Sequence, residues 1–345
     1  MSTPGSATAS RLVSELGERG LIERIRQRLP PPPSDLIVGP GDDAAVIAPE
    51  RGALEVLTTD ALVEGVHFDR RFSSPADIGH KALAVNVSDI AAMGGTARIA
   101  LLSFMLPDST TVDAVDGMLD GLLGLAAGLK VALAGGNITR SPGPLVIDVT
   151  VMGFAKPRKV LTRSAGSPGD LLYVSGTIGA AAAGLDWLRA NASGRAEPPT
   201  PALSECVSRH RRPEPRTRLG SALGRMRAAS ACMDLSDGLA DAVHQIAEAS
   251  GAGARIDSAK LPLHPGAVEW FSGRDVDPVE RCIRGGDDYE LLFSVPPRRR
   301  NRLRGVFHVI GGLSLTPIGE LTGNPTIELV RDGAATPLPP GFSHF

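Results

Sequence analysis

The sequence predicts a mixed α/β protein built from two α/β domains, residues 1–155 and 156–345. Three observations carry that expectation. At 345 residues the chain is long for one domain and comfortable for two. Segments with the two-residue alternation of strands succeed segments with near-helical apolar spacing. A polar, basic stretch, Lys156–Asp170 (KPRKVLTRSAGSPGD), interrupts the succession and marks a boundary near its start.

The elements follow in order. Leu12, Val13, Leu16, Leu21, Ile22 and Ile25 predict a helix over Leu12–Leu29, stopped by Pro30–Pro33. Ala53–Thr59 (ALEVLTT) predicts a strand running directly into Asp60. Pro75–Met93 predicts a helix closed by Gly94-Gly95. Ala97–Met105 predicts a strand, Val112–Leu129 a helix, Val131–Ala134 a short strand entering Gly135-Gly136-Asn137, and Leu145–Phe154 an alternating strand. Past the boundary come a strand at Leu171–Ser175, a Gly/Ala-rich helix from Ile178 and a low-complexity hinge at Asn191–Pro201. Cys232–Leu235 predicts a short strand leading through Ser236-Asp237-Gly238 into a helix to about Ala249, with Ser236 as its natural N-cap. Leu291–Val295, Ile318–Leu321 and Thr326–Val330 complete the strands.

Composition narrows the function. The chain is 42% hydrophobic but only 4% aromatic, with 40 Gly and 28 Pro, which describes aliphatic packing and many turns. A net charge of −2 points to neither a nucleic acid nor an anionic membrane as partner. Cys206, Cys232 and Cys282 are odd in number and lack metal-ligand spacing, as expected of reduced thiols in a cytoplasmic protein. No apolar run reaches the length of a membrane span, and MSTPGSATAS lacks a signal-peptide core and reads as a disordered tail. The basic Pro296–Gly305 (PPRRRNRLRG) reads as a solvated surface segment between two strands.

What composition leaves open, the carboxylates begin to answer. Val38–Ile47 (VGPGDDAAVI) places Asp42 and Asp43 side by side in a glycine turn. Asp60 follows a strand, Asp89 sits in an apolar helix, Asp234 and Asp237 flank a strand-to-helix turn, and Asp287-Asp288 follow Gly285-Gly286. Each has an ordinary alternative: a solvated turn for Asp42/Asp43, an exposed position for Asp89, a first-turn dipole partner for Asp237. Together, Asp without His or Cys argues for Mg²⁺ rather than zinc, and several Mg²⁺ suit a polyphosphate ligand. There is no GxxxxGK[ST], no protein-kinase loop and no G-x-S-x-G elbow. The residues alone thus indicate a Mg²⁺-dependent enzyme acting on a nucleotide or phosphate.

The full set of motifs resembles the thiamine-monophosphate kinase family, within the aminoimidazole ribonucleotide synthetase superfamily. The matching pieces are GDDAAVI (41–47), TTDALVEGVHF (58–68), KALAVNVSDIAAMG (81–94), GGNITRS (135–141), LTRSAGSPGD (161–170), RHRRPEPR (209–216), DLSDGLADAVHQIA (234–247), GGDDYELLF (285–293) and GFSHF (341–345). The resemblance implies transfer of the ATP γ-phosphate onto thiamine monophosphate. It implies metal ligands at Asp43, Thr58, Thr59, Asp60, Asp89, Asp234 and Asp237, with Asp43, Asp60, Asp89 and Asp237 central to catalysis. It further implies nucleotide contacts at Gly136, Asn137, Arg163 and Ser236, and substrate contacts at His67, Asp287 and Phe342. Family members are homodimers whose N-terminal sheets join into a barrel, with the active site in the cleft between the domains. The first domain would then bind ATP and Mg²⁺ and dimerise, and the second would close the cleft.

Two positions depart from the commonest pattern of that family: Asn137 stands where many members have Asp, and Asp287 where Glu is usual. His67 alone would read as a turn residue beside Phe68; within GVHF it reads as a substrate contact. The rivals are other ATP-using enzymes of the superfamily and, because of Asn137, an inactive nucleotide-binding regulator. Selenophosphate synthesis would want an N-terminal cysteine, whereas the first here is Cys206, and the hydrogenase maturation factor needs a C-terminal cysteine where this chain has His344-Phe345.

Overall fold

The computed structural model describes residues 11–191 and 197–342. The expected N-terminal tail, residues 192–196 of the expected hinge and the last three residues of GFSHF lie outside the described residues. The chain divides into two compact units: Met1–Pro49, Thr59–Leu83 and Ile99–Thr150 in the first, Glu50–Thr58, Ala84–Arg98 and Val151–Phe345 in the second.

The N-terminal elements are α1 (Val13–Arg28), β1 (Leu36–Val38), β2 (Val46–Ile47), β3 (Leu54–Val63), α2 (Pro75–Ala92), β4 (Thr96–Leu106), α3 (Val112–Leu129), β5 (Ala132–Arg140) and β6 (Val146–Ala155). Strands β3, β6, β4 and β5 lie in that order in one sheet, and β1 pairs antiparallel with β2. Helix α1 is kinked at Gly17 and tied to α3 by Arg24 and Arg28, both paired with Asp116. Thr111 caps α3 by accepting from the Ala114 amide at 3.2 Å.

Two strands run further than the sequence predicts. β3 continues to Val63, so Asp60 lies inside the strand and not at its exit. β5 continues through Gly135-Gly136-Asn137 to Arg140, because the parallel ladder with β4 supplies backbone partners along its whole length, pairing Ser103 with Asn137.

The second unit continues with β7 (Leu171–Ser175), α4 (Ala180–Ala190), α5 (Pro201–Arg211), α6 (Thr217–Met226), β8 (Cys232–Asp234), α7 (Leu239–Ala249), β9 (Gly253–Asp257), α8 (Pro265–Ser272), α9 (Pro278–Arg284), β10 (Leu291–Val295), α10 (Arg300–Ile310), β11 (Leu315–Thr322), β12 (Ile327–Arg331) and β13 (Ala334–Pro337). Its seven-stranded sheet has the order β13-β12-β9-β11-β7-β10-β8, and β12 with β9 is its parallel pair among otherwise antiparallel neighbours. Every residue of β10 is buried, which suits an apolar strand with a ladder on both sides. Leu219 and Leu223 of α6 and Leu303, Val306 and Ile310 of α10 share a core cluster with Phe293.

The basic stretch lies between β10 and β11 with Arg298, Arg300, Arg302 and Arg304 exposed, as expected, and it also enters helix α10, whose apolar residues recur at helical spacing and find a buried face. Both larger sheets are open, and no sheet of the described residues closes into a barrel. No described helix is long and apolar enough to cross a membrane.

Candidate active site

Strand β3 sends successive side chains to opposite faces of its sheet. Thr58 Oγ1 donates to Asp89 Oδ2 at 2.6 Å, which ties the strand to α2. Thr59 turns the other way, donating to Asp148 Oδ1 at 3.2 Å and meeting Thr150 Oγ1 at 3.0 Å. The two hydroxyls thus serve different surroundings, and only that of Thr58 meets Asp89. Asp60, two residues on, shares the face of Thr58 and is half-buried. Asp148 was not anticipated as a site neighbour. A single carboxylate inside the alternating strand VIDVTV was the signal for it.

Helix α2 carries Asp89 next to Ser88, and Ser88 Oγ donates to Asp234 Oδ2 at 2.6 Å. Both partners are buried, Asp234 with only 2% of its surface exposed. A buried carboxylate requires donors, and Ser88 supplies one. Residues 58, 88, 89 and 234 are thereby linked in one run of contacts, which sequence spacing does not reveal.

Beyond Asp234 the chain turns through 235–238 into α7. The observed N-cap is Gly238, not the predicted Ser236, and the helix starts at Leu239 with Asp241 in its first turn. Ser236 and Asp237 both precede the helix. Against this turn lies the loop 285–289: the Asp287 amide donates to Ser236 O at 2.8 Å and the Tyr289 amide to Leu235 O at 3.1 Å. A Cβ on Gly286 would fall 2.4 Å from Ser236 O, so the approach requires glycine there. The Phe342 amide donates to Asp237 O at 3.1 Å, bringing an aromatic ring, 51% exposed, to the same turn.

The paired Asp287 and Asp288 separate in role. Asp287 has a positive φ of 69°, a conformation that costs a non-glycine residue energy and gathers at functional sites. Its carboxylate accepts from Tyr289 Oη at 3.3 Å and lies 3.4 Å from His210 Nδ1. Asp288 instead holds the start of α4, accepting from the amides of Gly179 at 2.6 Å and Ala181 at 3.0 Å. Burial pushes its carboxyl up to about 7, against the pull of those two donors. Glu290, fully buried, is neutralised by Arg216 Nε at 2.7 Å and also accepts from Ser175 Oγ at 2.5 Å. Of the acidic run, Asp288 and Glu290 are structural.

Arg163 lies on a short 3-10 turn, Arg163–Ala165, where its guanidinium donates to Gln245 of α7 and its carbonyl accepts from Ser250 Oγ at 3.0 Å. In the first unit, Asp43 is exposed in the loop between β1 and β2, its amide bonded to Asp42 Oδ1 at 3.0 Å. Gly136 and Asn137 are exposed on β5. A Cβ on Gly136 would sit 1.8 Å from Leu102 O, so a larger residue cannot keep this pairing with β4. The His67 ring is anchored to its own turn, Nδ1 accepting from the Val63 amide at 3.0 Å, and its carbonyl accepts from Lys81 Nζ at 3.1 Å.

Asp43, Thr59, Asp60, His67, Gly136 and Asn137 thus belong to the first unit. Thr58, Asp89, Arg163, Asp234, Ser236, Asp237, Asp287 and Phe342 belong to the second. Among the described residues no group of three or more His, Cys, Asp or Glu side chains stands close enough to hold a metal ion.

Comparison with known proteins extends these observations. Family models for AIR synthase related protein match the chain, the N-terminal domain over residues 41–155 and the C-terminal domain over 167–332. The thiamine-monophosphate kinase of Escherichia coli (strain K12) is 38% identical over 337 residues, 95% of this chain and 98% of that one. The crystal structure of thiamine-monophosphate kinase from Stenotrophomonas maltophilia K279a superposes with a TM-score of 0.79 at 36% identity, covering 92% of this chain and 96% of its own. AaThiL complexed with AMPPCP and TMP superposes with a TM-score of 0.75 at 32% identity, covering 98% of this chain and 100% of its own.

Proposed function

The chain belongs to the AIR synthase related protein family, among its thiamine-monophosphate kinases, and from that premise we propose that it moves the γ-phosphoryl group of ATP onto thiamine monophosphate by direct in-line transfer. The observation that carries this reading is the likeness along nearly the whole chain to AaThiL, which was solved with AMPPCP, an ATP analogue, and TMP. The acceptor is a phosphate oxygen already anionic near neutral pH, so the reaction needs no strong general base. The obstacle is the mutual repulsion of two polyanions.

The donor set fits Mg²⁺: Asp carboxylates and Thr hydroxyls are hard oxygen ligands, and Mg²⁺ usually takes one or two carboxylates together with phosphates and water, without a dense protein cage. Asp43, Asp60, Asp89, Asp234 and Asp237 would hold it, in several ions. Bound there, Mg²⁺ would supply positive charge that offsets the repulsion between the phosphate groups. The hydrogen bonds of Thr58 to Asp89 and of Ser88 to Asp234 would fix the orientation of those two carboxylates, as outer-shell partners do. The Thr59 hydroxyl is directed instead toward Asp148 and Thr150.

Gly136, Asn137, Arg163 and Ser236 are assigned to the nucleotide, with the Arg163 guanidinium set against phosphate charge. His67, Asp287 and Phe342 are assigned to thiamine monophosphate. Phe342 offers an exposed ring face for stacking, and Asp287 a carboxylate for the cationic thiazolium. Residues 1–155 form the nucleotide- and metal-binding, dimerising half and 156–345 the second half. Exposed Leu57 and Leu101 on the open four-stranded sheet support a homodimer whose sheets close into a barrel. Three free, buried cysteines support a cytoplasmic setting.

The test is ADP release with ATP and Mg²⁺, offering thiamine monophosphate, thiamine and aminoimidazole-pathway substrates side by side. Turnover confined to thiamine monophosphate, with thiamine diphosphate as product, supports the reading. ATP binding without turnover of thiamine monophosphate overturns it in favour of an inactive regulator.

A further inference from the structure

The second unit concentrates positive charge that the proposed reaction does not use. Between Glu214 and Asp234, and again between Glu290 and Glu320, the sequence has no acidic residue, yet these stretches hold nine arginines. They contain α6 and α10, which run in opposite directions against each other. Arg218 near the start of α6 donates to Val309 O at the end of α10, at 2.9 Å. Arg302 near the start of α10 donates to Arg227 O just past the end of α6, at 3.3 Å.

Arg227, Arg298, Arg299 and Arg302 therefore meet at one corner, where Arg299 Nη1 also donates to Ala229 O at 2.7 Å. Arg227, Arg298 and Arg302 are exposed. Burial, and after it crowding by the other three arginines, lowers the Arg299 pKa. The corner also adjoins the N-terminus of α10, the positive end of its dipole, and the first turn carries no acidic residue. Asp170, whose charge reaches Arg299, is buried and accepts from Ser230 Oγ at 2.5 Å and the Ser167 amide at 3.2 Å. Like charges at the positive end of a helix are unfavourable by themselves and become favourable once an anion joins them.

We propose that this corner binds a small anion bearing several phosphate groups, of the inorganic oligophosphate class. Guanidinium forks match phosphate oxygens in pairs, as ammonium groups do not. Two of the four arginines are already tied to backbone carbonyls, which reduces the ordering needed on binding. Phe307 is the exposed large apolar residue of α10. One ring provides neither the stacking platform of a single-stranded nucleic acid site nor the apolar face of a membrane-seated helix.

The experiment is calorimetric titration of the full chain with inorganic tripolyphosphate, comparing wild type with Arg298→Gln/Arg302→Gln and Arg298→Lys/Arg302→Lys. The proposal expects wild-type binding that weakens about tenfold or more in the glutamine variant, the scale of a lost charge-assisted hydrogen bond. The lysine variant falls between, and kcat for the kinase reaction stays unchanged in all three. Equal affinity in wild type and the glutamine variant overturns it, because the anion then sits elsewhere, for instance in the nucleotide site. Absence of wild-type binding in the millimolar range overturns it as well. So does tighter binding of a single-stranded oligonucleotide or a phosphatidylglycerol vesicle that the same variant loses, since the corner would then serve a macromolecule.

Discussion

Thr58 and Thr59 show how one peptide bond separates two roles. Strand geometry sends their hydroxyls to opposite faces, one onto Asp89 and one onto Asp148. Thr58→Val is therefore expected to lower kcat about 10- to 100-fold, the usual cost of losing an outer-shell partner. Thr59→Val leaves kcat nearly intact, and steady-state kinetics on both variants distinguishes them. Asp89→Ala removes a proposed ligand outright and should lower kcat by about a hundredfold or more, with an unchanged circular dichroism spectrum. Retention of full activity would remove Asp89 from the metal site. At this scale the sequence exposed the carboxylates but not their neighbours. Ser88 and Asp148 became site residues only because the fold delivered Asp234 and Thr59 to them.

Element boundaries moved for identifiable reasons. The turn after Asp234 contains both Ser236 and Gly238, and local preference favours serine as the cap. The loop 285–289 hydrogen-bonds to the backbone of residues 235 and 236, and the helix begins later, at Leu239. Helix α10 was hidden because its arginines dominate the composition, whereas Leu303, Val306 and Ile310 decide its burial. The start of α4 depends on a residue more than a hundred positions away. Asp288 has its carboxyl raised from an ordinary 3.8 to about 7, because burial penalises the charge. The folded state then holds a proton that the unfolded state has released. Its stabilising effect is fully present below the unfolded pKa and is lost as pH rises through the folded one. Thermal unfolding across that range should show the wild type losing stability relative to Asp288→Asn, with the difference levelling off above about 7. A pH-independent difference would exclude the titration.

Across the whole molecule, the polar interior is arranged by contacts between distant stretches. Glu290 at the start of β10 is neutralised by Arg216 before α6 and bonded to Ser175 at the end of β7. Arg216→Met leaves that buried carboxylate only the more distant Arg209 Nη1, at 3.7 Å, as a cation, and is expected to lower unfolding stability by about 3 kcal/mol, measured by urea denaturation. Arg216→Met with Glu290→Gln should cost less, because neither charge remains alone. By itself the sequence determined the mixed α/β class, through periodicities that follow from strand and helix geometry, and the candidate carboxylates, through their setting beside glycines and strand ends. Only the tertiary structure decided which carboxylates are structural, which hydroxyls orient the others and where the arginines gather. The reason is that burial and hydrogen-bond partnership depend on residues far apart in the chain, and local spacing carries no record of them.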